Sequence, residues 1–260
     1  MNISNLTVLQ IKQKIDTLQI EEYEIVLKQL KKDNRRSLKK LALKLESCLE
    51  QHLKEKKRQT KLLKIEKFYR SKGFKFIAGV DEAGRGPLAG PVVAAAVILP
   101  EEIYIDGIND SKKLTPRKRE LIYEDIKSKA LSINFCCIDN DYIDKVNIHK
   151  ATLEAMKRAV LGLSITPEIL LIDALKLKGI NIPQQSIIRG DSLSMSIAAA
   201  SIVAKVERDR IMKSYDKIYP HYGFDKNKGY PTREHIEQIK KHGFSPIHRR
   251  SFRVKGLYDI

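Results

Sequence analysis

Cysteine is scarce in this 260-residue chain, which has only Cys48, Cys136 and Cys137. Neighbouring residues of a strand point to opposite faces, so Cys136 and Cys137 are badly placed to pair with each other. No C-x-x-C spacing exists to support a zinc module or a disulfide framework. Long apolar runs are missing too. The longest, around Val92–Leu99, is well short of the roughly 18–20 residues of a membrane helix. The opening residues, Met1 to Thr7, lack the basic segment, apolar core and small-residue cleavage site of a secretory signal. These absences predict a cytoplasmic protein in reducing surroundings, with no membrane partner. Glycine and proline are absent from residues 1–72, since all 13 glycines and nine prolines lie at or beyond Gly73. A stretch without either suits uninterrupted helix.

Positive charge is plentiful. The chain carries 49 Lys+Arg against 32 Asp+Glu, a formal +17, and such an excess favours a polyanionic partner, most often nucleic acid. The charge is uneven. Residues 1–72 hold 19 basic and nine acidic residues, a net of +10, which leaves +7 for residues 73–260. We therefore expect a basic helical appendage over 1–72 followed by a larger domain over 73–260. Thr7–Leu18 and Glu21–Leu30 read as short helices, followed by a longer one in which Leu38, Leu41, Leu45, Leu49 and Leu53 form one apolar stripe. Lys39, Lys40, Lys44 and Lys54 fall off that stripe and could grip phosphates or simply be solvated.

Beyond Gly73 short apolar runs alternate with helical patterns. Phe76–Val80, Val92–Leu99, Ser132–Ile138, Glu168–Ile172 and Ser186–Ile188 read as strands. Asn147–Leu163, Ser192–Tyr215 and Thr232–His242 read as helices, the last capped by Thr232 and stopped by Gly243. Adjacent early strands followed by strand–helix alternation predict an α/β fold: a mixed sheet flanked by helices, preceded by the small all-helical appendage.

Four acids stand where strands stop. Asp81 and Glu82 follow Phe76–Val80, Asp173 follows Ile169–Ile172, and Asp191 follows Ile187-Ile188-Arg189-Gly190 just before a helix. Singly, Asp191 could be a helix cap and Asp173 a turn residue. Together they form an oxygen-rich set suited to Mg²⁺ or Mn²⁺, and two such ions are the usual device for cleaving a phosphodiester. A basic protein with such a set reads as a nuclease.

The segment Gly79-Val80-Asp81-Glu82-Ala83-Gly84-Arg85-Gly86-Pro87-Leu88-Ala89-Gly90-Pro91 resembles the signature of bacterial ribonuclease HII. The resemblance continues through Asn109–Leu114, Leu171–Ala174, Gly190–Ser192, Ser196–Lys205, Lys228–Thr232 and His248–Phe252, in order, over essentially all of 73–260. It implies a ribonuclease H-like five-stranded sheet and an endonuclease that hydrolyses the RNA strand of RNA–DNA hybrids. It also implies nicking of duplex DNA 5′ to an embedded ribonucleotide, leaving 3′-hydroxyl and 5′-phosphate ends, by a monomer that holds two Mn²⁺ or Mg²⁺ ions when substrate is bound. Carried over by position, Asp81, Glu82, Asp173 and Asp191 are the metal-binding and catalytic set. Gly84, Arg85 and Gly86 resemble the loop that reads the ribose 2′-hydroxyl, Tyr230 the tyrosine that packs on a sugar at the junction, and Ser111 and Lys112 phosphate contacts. His248 and Arg249 are expected at the surface. A resolvase or transposase of the same fold, and a non-catalytic nucleic-acid-binding protein, are the rival readings.

Overall fold

A computed structural model describes residues 6–18 and 20–253; Met1–Asn5, part of the segment read for a secretory signal, lie outside the described residues. The chain forms two compact units that divide between Thr60 and Lys61.

The first unit is helical: α1 (Val8–Ile15), α2 (Tyr23–Lys32) and α3 (Arg36–Leu62), which crosses the division in its last turn. Thr7 caps α1 through a reciprocal pair with Gln10, two residues whose side chains satisfy backbone groups that the first turn leaves open. Ile11 and Ile15 meet Val26 and Leu30 of α2 and Leu38, Ala42 and Leu45 of α3 in a small core. The leucine stripe therefore does its packing at its N-terminal end, and Leu53 is exposed. Lys39, Lys40, Lys44, Lys54, Lys56 and Lys57 are all exposed.

In the second unit α4 (Lys64–Arg70) comes first. Leu62, Ile65 and Tyr69 pack into this unit, and the buried Glu66 carboxylate accepts bonds from the Ser194 hydroxyl (2.6 Å) and the Ser196 amide (2.9 Å). The packing division thus precedes the compositional one at Gly73 by a helix. An amphipathic helix without glycine or proline carries no sign of which core will bury it.

Five strands follow: β1 (Ile77–Ala83), β2 (Val92–Ile98), β3 (Ser132–Ile138), β4 (Ile169–Asp173) and β5 (Gln184–Ile187), in the sheet order β3-β2-β1-β4-β5. β1 pairs antiparallel with β2 and parallel with β4, and β4 pairs parallel with β5. The mixed sheet expected from the sequence is the one observed. On one face lie α5 (Pro116–Lys129) and α8 (Met195–Ile218), which bury Ala95 and Val97 against Ile122, Ile126, Ala199 and Ile202. On the other, α6 (Asn140–Val146) and α7 (Ile148–Leu161) bury Val80, Ala94 and Ala96 against Ile143, Ala155 and Met156. Burial on both faces explains why β2 reads as an unbroken apolar run. Neither α5 nor α6 is legible in the hydrophobic pattern. Each is marked instead by a cap, Thr115 with Pro116 behind it and Asp139.

The last helices among the described residues, α9 (Phe224–Asn227) and α10 (Arg233–His242), close a further cluster with Leu88, Ala89, Met212, Tyr222 and Ile247. Thr232 caps α10 and Gly243 follows it, as its sequence predicts.

Candidate active site

Parallel pairing places the ends of β1 and β4 side by side. Their register runs from Ile77 opposite Ile169 to Val80 opposite Ile172, so Asp81 and Asp173 stand next to each other where these two inner strands finish. The chain then returns through β5 to a short turn, Gly190–Ser192, that carries Asp191. Asp173 Oδ1 accepts the Gly190 amide at 2.8 Å and ties that turn to β4. The cap of α8 is Ser194, whose hydroxyl accepts the Ile197 amide, so Asp191 is free of the capping duty its sequence position suggests.

The close approach of α8 completes this site. A Cβ on Gly79 would lie 2.0 Å from the Ser196 carbonyl carbon, so only glycine lets helix and strand meet. The run Ala198-Ala199-Ala200 is fully buried behind it, and the Ser201 hydroxyl beside Asp81 works to lower that carboxyl's pKa. Ser111, expected near phosphate, is buried with its hydroxyl 3.0 Å from that of Ser201. Lys112 is open to solvent, with Nζ 4.0 Å from Asp191 Oδ2.

The four acids share one electrostatic field. Burial, reinforced by the charges of Glu82 and Asp173, pushes Asp81 well above the usual carboxylate range. Burial also raises Glu82, against the opposing charge of Arg85, whose Nη1 lies 3.2 Å from Glu82 Oε1. Asp191 is raised by burial and by Asp110, with Lys112 opposing. Among the described residues no three acidic, histidine or cysteine side chains close into a preformed metal cage. The donor set nevertheless suits a hard cation. Glu82 Oε2 is buried without a hydrogen-bond partner, and mutually repelling carboxylates are the groups a divalent ion would relieve.

Beside the acids lies the glycine loop. Gly84 is buried with φ +96°, and a Cβ there would stand 2.0 Å from Arg208 Nε; Arg85 and Gly86 are exposed. The Tyr230 ring, 42% exposed, lies 3.7 Å from where a Gly86 Cβ would be. The structure therefore gathers Gly86, Arg85 and Tyr230 beside Glu82, and Lys112 beside Asp191.

The expectation of a surface position for His248 and Arg249 is wrong, for both are 1% exposed. His235 Nδ1 meets the Tyr230 carbonyl at 2.8 Å, and the His235 and His248 Nε2 atoms are 3.0 Å apart. His248 Nδ1 faces the Ser245 amide (2.9 Å) and hydroxyl (2.7 Å). One proton arrangement satisfies every member: His235 carries its proton on Nδ1 and His248 on Nε2, both neutral. Burial holds His235 below its ordinary value and, helped by His235, His248 at about 3. Isolated histidines and an Arg-Arg pair carry no hydrophobic period, which is why the sequence pattern does not reveal this support.

Residues 78–255 match the model of the family described as Ribonuclease HII. A ribonuclease HII of Acetivibrio thermocellus is 50% identical over 250 residues, covering 96% of this chain and 98% of that protein. Another, of Desulfitobacterium hafniense, is 50% identical over 259 residues, covering 99% and 98%. The crystal structure of the ribonuclease H2 from Pyrococcus horikoshii superposes with a TM-score of 0.59 at 28% identity, covering 68% of this chain and 93% of that one. These likenesses span both the acid-bearing strand ends and the glycine loop, and the chain belongs to the ribonuclease HII family, divalent-metal-dependent ribonucleases H that cleave phosphodiester bonds within nucleic acids.

Proposed function

We propose that this protein hydrolyses the RNA strand of RNA–DNA hybrids and nicks duplex DNA on the 5′ side of an embedded ribonucleotide, acting as a monomer in the cytoplasm. The observation that carries this reading is the juxtaposition, beside the ends of the neighbouring strands β1 and β4, of four acids with an exposed glycine loop and a half-exposed tyrosine ring. Asp81, Glu82, Asp173 and Asp191 would hold the divalent ions, Mn²⁺ or Mg²⁺, two when substrate is bound. Such ions supply water activation and charge neutralisation at the phosphorus.

The remaining work falls to the chain. Lys112 carries a full positive charge: burial lowers its pKa, but the charges of Asp191, Asp81, Asp110 and Asp173 more than offset this and hold it above its ordinary value. It can meet a backbone phosphate as that phosphate enters. Arg85 is pinned by Glu82 and stands ready for a second phosphate. The amides of the glycine loop and the face of Tyr230 bracket one nucleotide, reading its 2′-hydroxyl and packing on its neighbour's sugar. Because the 2′-hydroxyl is bound rather than used as nucleophile, water attacks, and the products are a 3′-hydroxyl and a 5′-phosphate.

Duplex DNA with one internal ribonucleotide tests the proposal. One metal-dependent nick 5′ to the ribonucleotide is expected. A duplex left intact with Mg²⁺ or Mn²⁺ supplied, or cut at deoxynucleotides, would return the protein to the resolvase-like or non-catalytic readings, which the family membership does not favour.

A further inference from the structure

Two buried arginines beside the glycine loop have no acidic partner. Arg208 and Arg249 are 0% and 1% exposed, and neither forms a salt bridge among the described residues. A buried cation is costly unless its donors are used, and here backbone carbonyls use them. Arg249 donates from Nη2 to Gly84 O (2.6 Å), from Nη1 to Arg85 O (3.1 Å) and Pro87 O (2.8 Å), and from Nε to Gly90 O (2.9 Å). Arg208 donates to Pro91 O (2.9 Å), Ala89 O (3.2 Å) and Lys228 O (3.0 Å), and its guanidinium lies 6.0 Å from the Tyr230 ring centre.

The consequence follows from peptide geometry. Every peptide bond of this loop is trans, so a carbonyl turned inward sends the next residue's N–H outward. With Gly84 O and Arg85 O held by Arg249, the amides of Arg85 and Gly86 point away from it. Neither amide makes a hydrogen bond among the described residues, and both residues are exposed. The Leu88 amide, next after the held Pro87 carbonyl, is spent on Gly229 O at 2.8 Å, which locks the glycine loop to the tyrosine loop.

We propose that Arg249 is a positioning residue for ribose selectivity: by holding the Gly84 and Arg85 carbonyls inward it keeps the Arg85 and Gly86 amides aimed at a substrate hydroxyl. This rests on the functional reading above, deepening it from which loop reads the ribose to what holds that loop in its reading conformation. Arg249 touches no reacting atom in this scheme and acts only through the loop. Lysine at the same position keeps the charge but has one donor centre in place of a planar fork, and cannot span carbonyls from Gly84 to Gly90.

The experiment compares the wild type with Arg249→Lys on duplex DNA carrying one ribonucleotide, with the same duplex in all-DNA form as competitor. In the variant KM for the ribonucleotide duplex should rise about tenfold, with kcat changing far less and the inhibition constant of the all-DNA duplex unchanged. An unchanged ratio of KM to that inhibition constant, or a parallel loss in all three quantities, overturns the proposal. If the wild type itself fails to distinguish the two duplexes, the functional reading falls and the proposal with it. A second measurement needs no variant. Backbone ¹⁵N relaxation of the full wild-type chain should give Arg85 and Gly86 order parameters near 0.85, and values below about 0.6 would show that nothing holds the loop.

Discussion

The two units of this protein use charge in opposite ways. In the first, lysines such as Lys39, Lys40, Lys44 and Lys54 stand in solvent around a small apolar core, and their positions relative to one another matter little to the fold. In the second, Asp81, Asp191, Arg208, Arg249, His235 and His248 are buried, and each has specific partners. Exposed charge acts additively and is screened by salt, whereas buried charge acts through geometry. Net charge therefore describes the first unit well and says almost nothing about the second.

The sharpest way to break this contrast is at the buried acids. Asp81→Asn should lower turnover on the order of a thousandfold or more, since the position would hold an ion worth several kcal/mol at the transition state. Its stability should move the other way. Because burial raises the folded-state value of Asp81, its favourable contribution is complete below the unfolded carboxylate range and is lost as pH rises through the folded value. Metal-free Asp81→Asn should thus be more stable than the wild type at pH 8, with the gain vanishing near pH 4. Denaturant titration checks this, and equal stability at pH 8 would contradict it.

Gly84→Ala comes next. It forces a side chain into the left-handed region and into Arg208, and should cost about 2–4 kcal/mol, read as a drop in thermal midpoint. A variant as stable as the wild type would mean that the arginines do not set the loop.

The histidine pair gives a smaller, pH-dependent effect. Folding lowers the His248 value to about 3 from 6.5, so its contribution is complete above pH 6.5 and is lost progressively as pH falls toward 3. His248→Gln should be less stable at neutral pH and show a flatter acid limb between pH 6 and 4; an unchanged limb would place acid sensitivity elsewhere.

The smallest effect belongs to the exposed lysines. If they grip phosphate, replacing Lys39, Lys40 and Lys44 with glutamine should make the salt dependence of hybrid binding shallower by up to about 3, at nearly unchanged stability. An untouched slope would make the first unit's charge merely solvating.

Most of the second unit's sheet is legible in the sequence because strands buried on both faces must be apolar; the first charged residue marks the end of β4 at Asp173, whereas β1 runs on through Asp81 and Glu82 to Ala83. That is how Asp81, Glu82, Asp173 and Asp191 can be found before any coordinates. Helices α5 and α6 are harder, since their apolar faces are weakly periodic and only their caps betray them. The burial of Ser111, with its hydroxyl against that of Ser201, was not written in its neighbours.

The sequence by itself determined the division of composition at Gly73, the apolar runs that lead into the acids and the membership of a family, because all of these are local or follow from order along the chain. Only the tertiary structure decided that packing divides the chain earlier, at Thr60, and that α4 belongs to the second unit. It alone shows that Arg249, more than 150 residues from Gly84, holds that loop's carbonyls. Hydrogen bonds between distant residues leave no periodic trace, because the chain between them is free to vary so long as it closes on the same point.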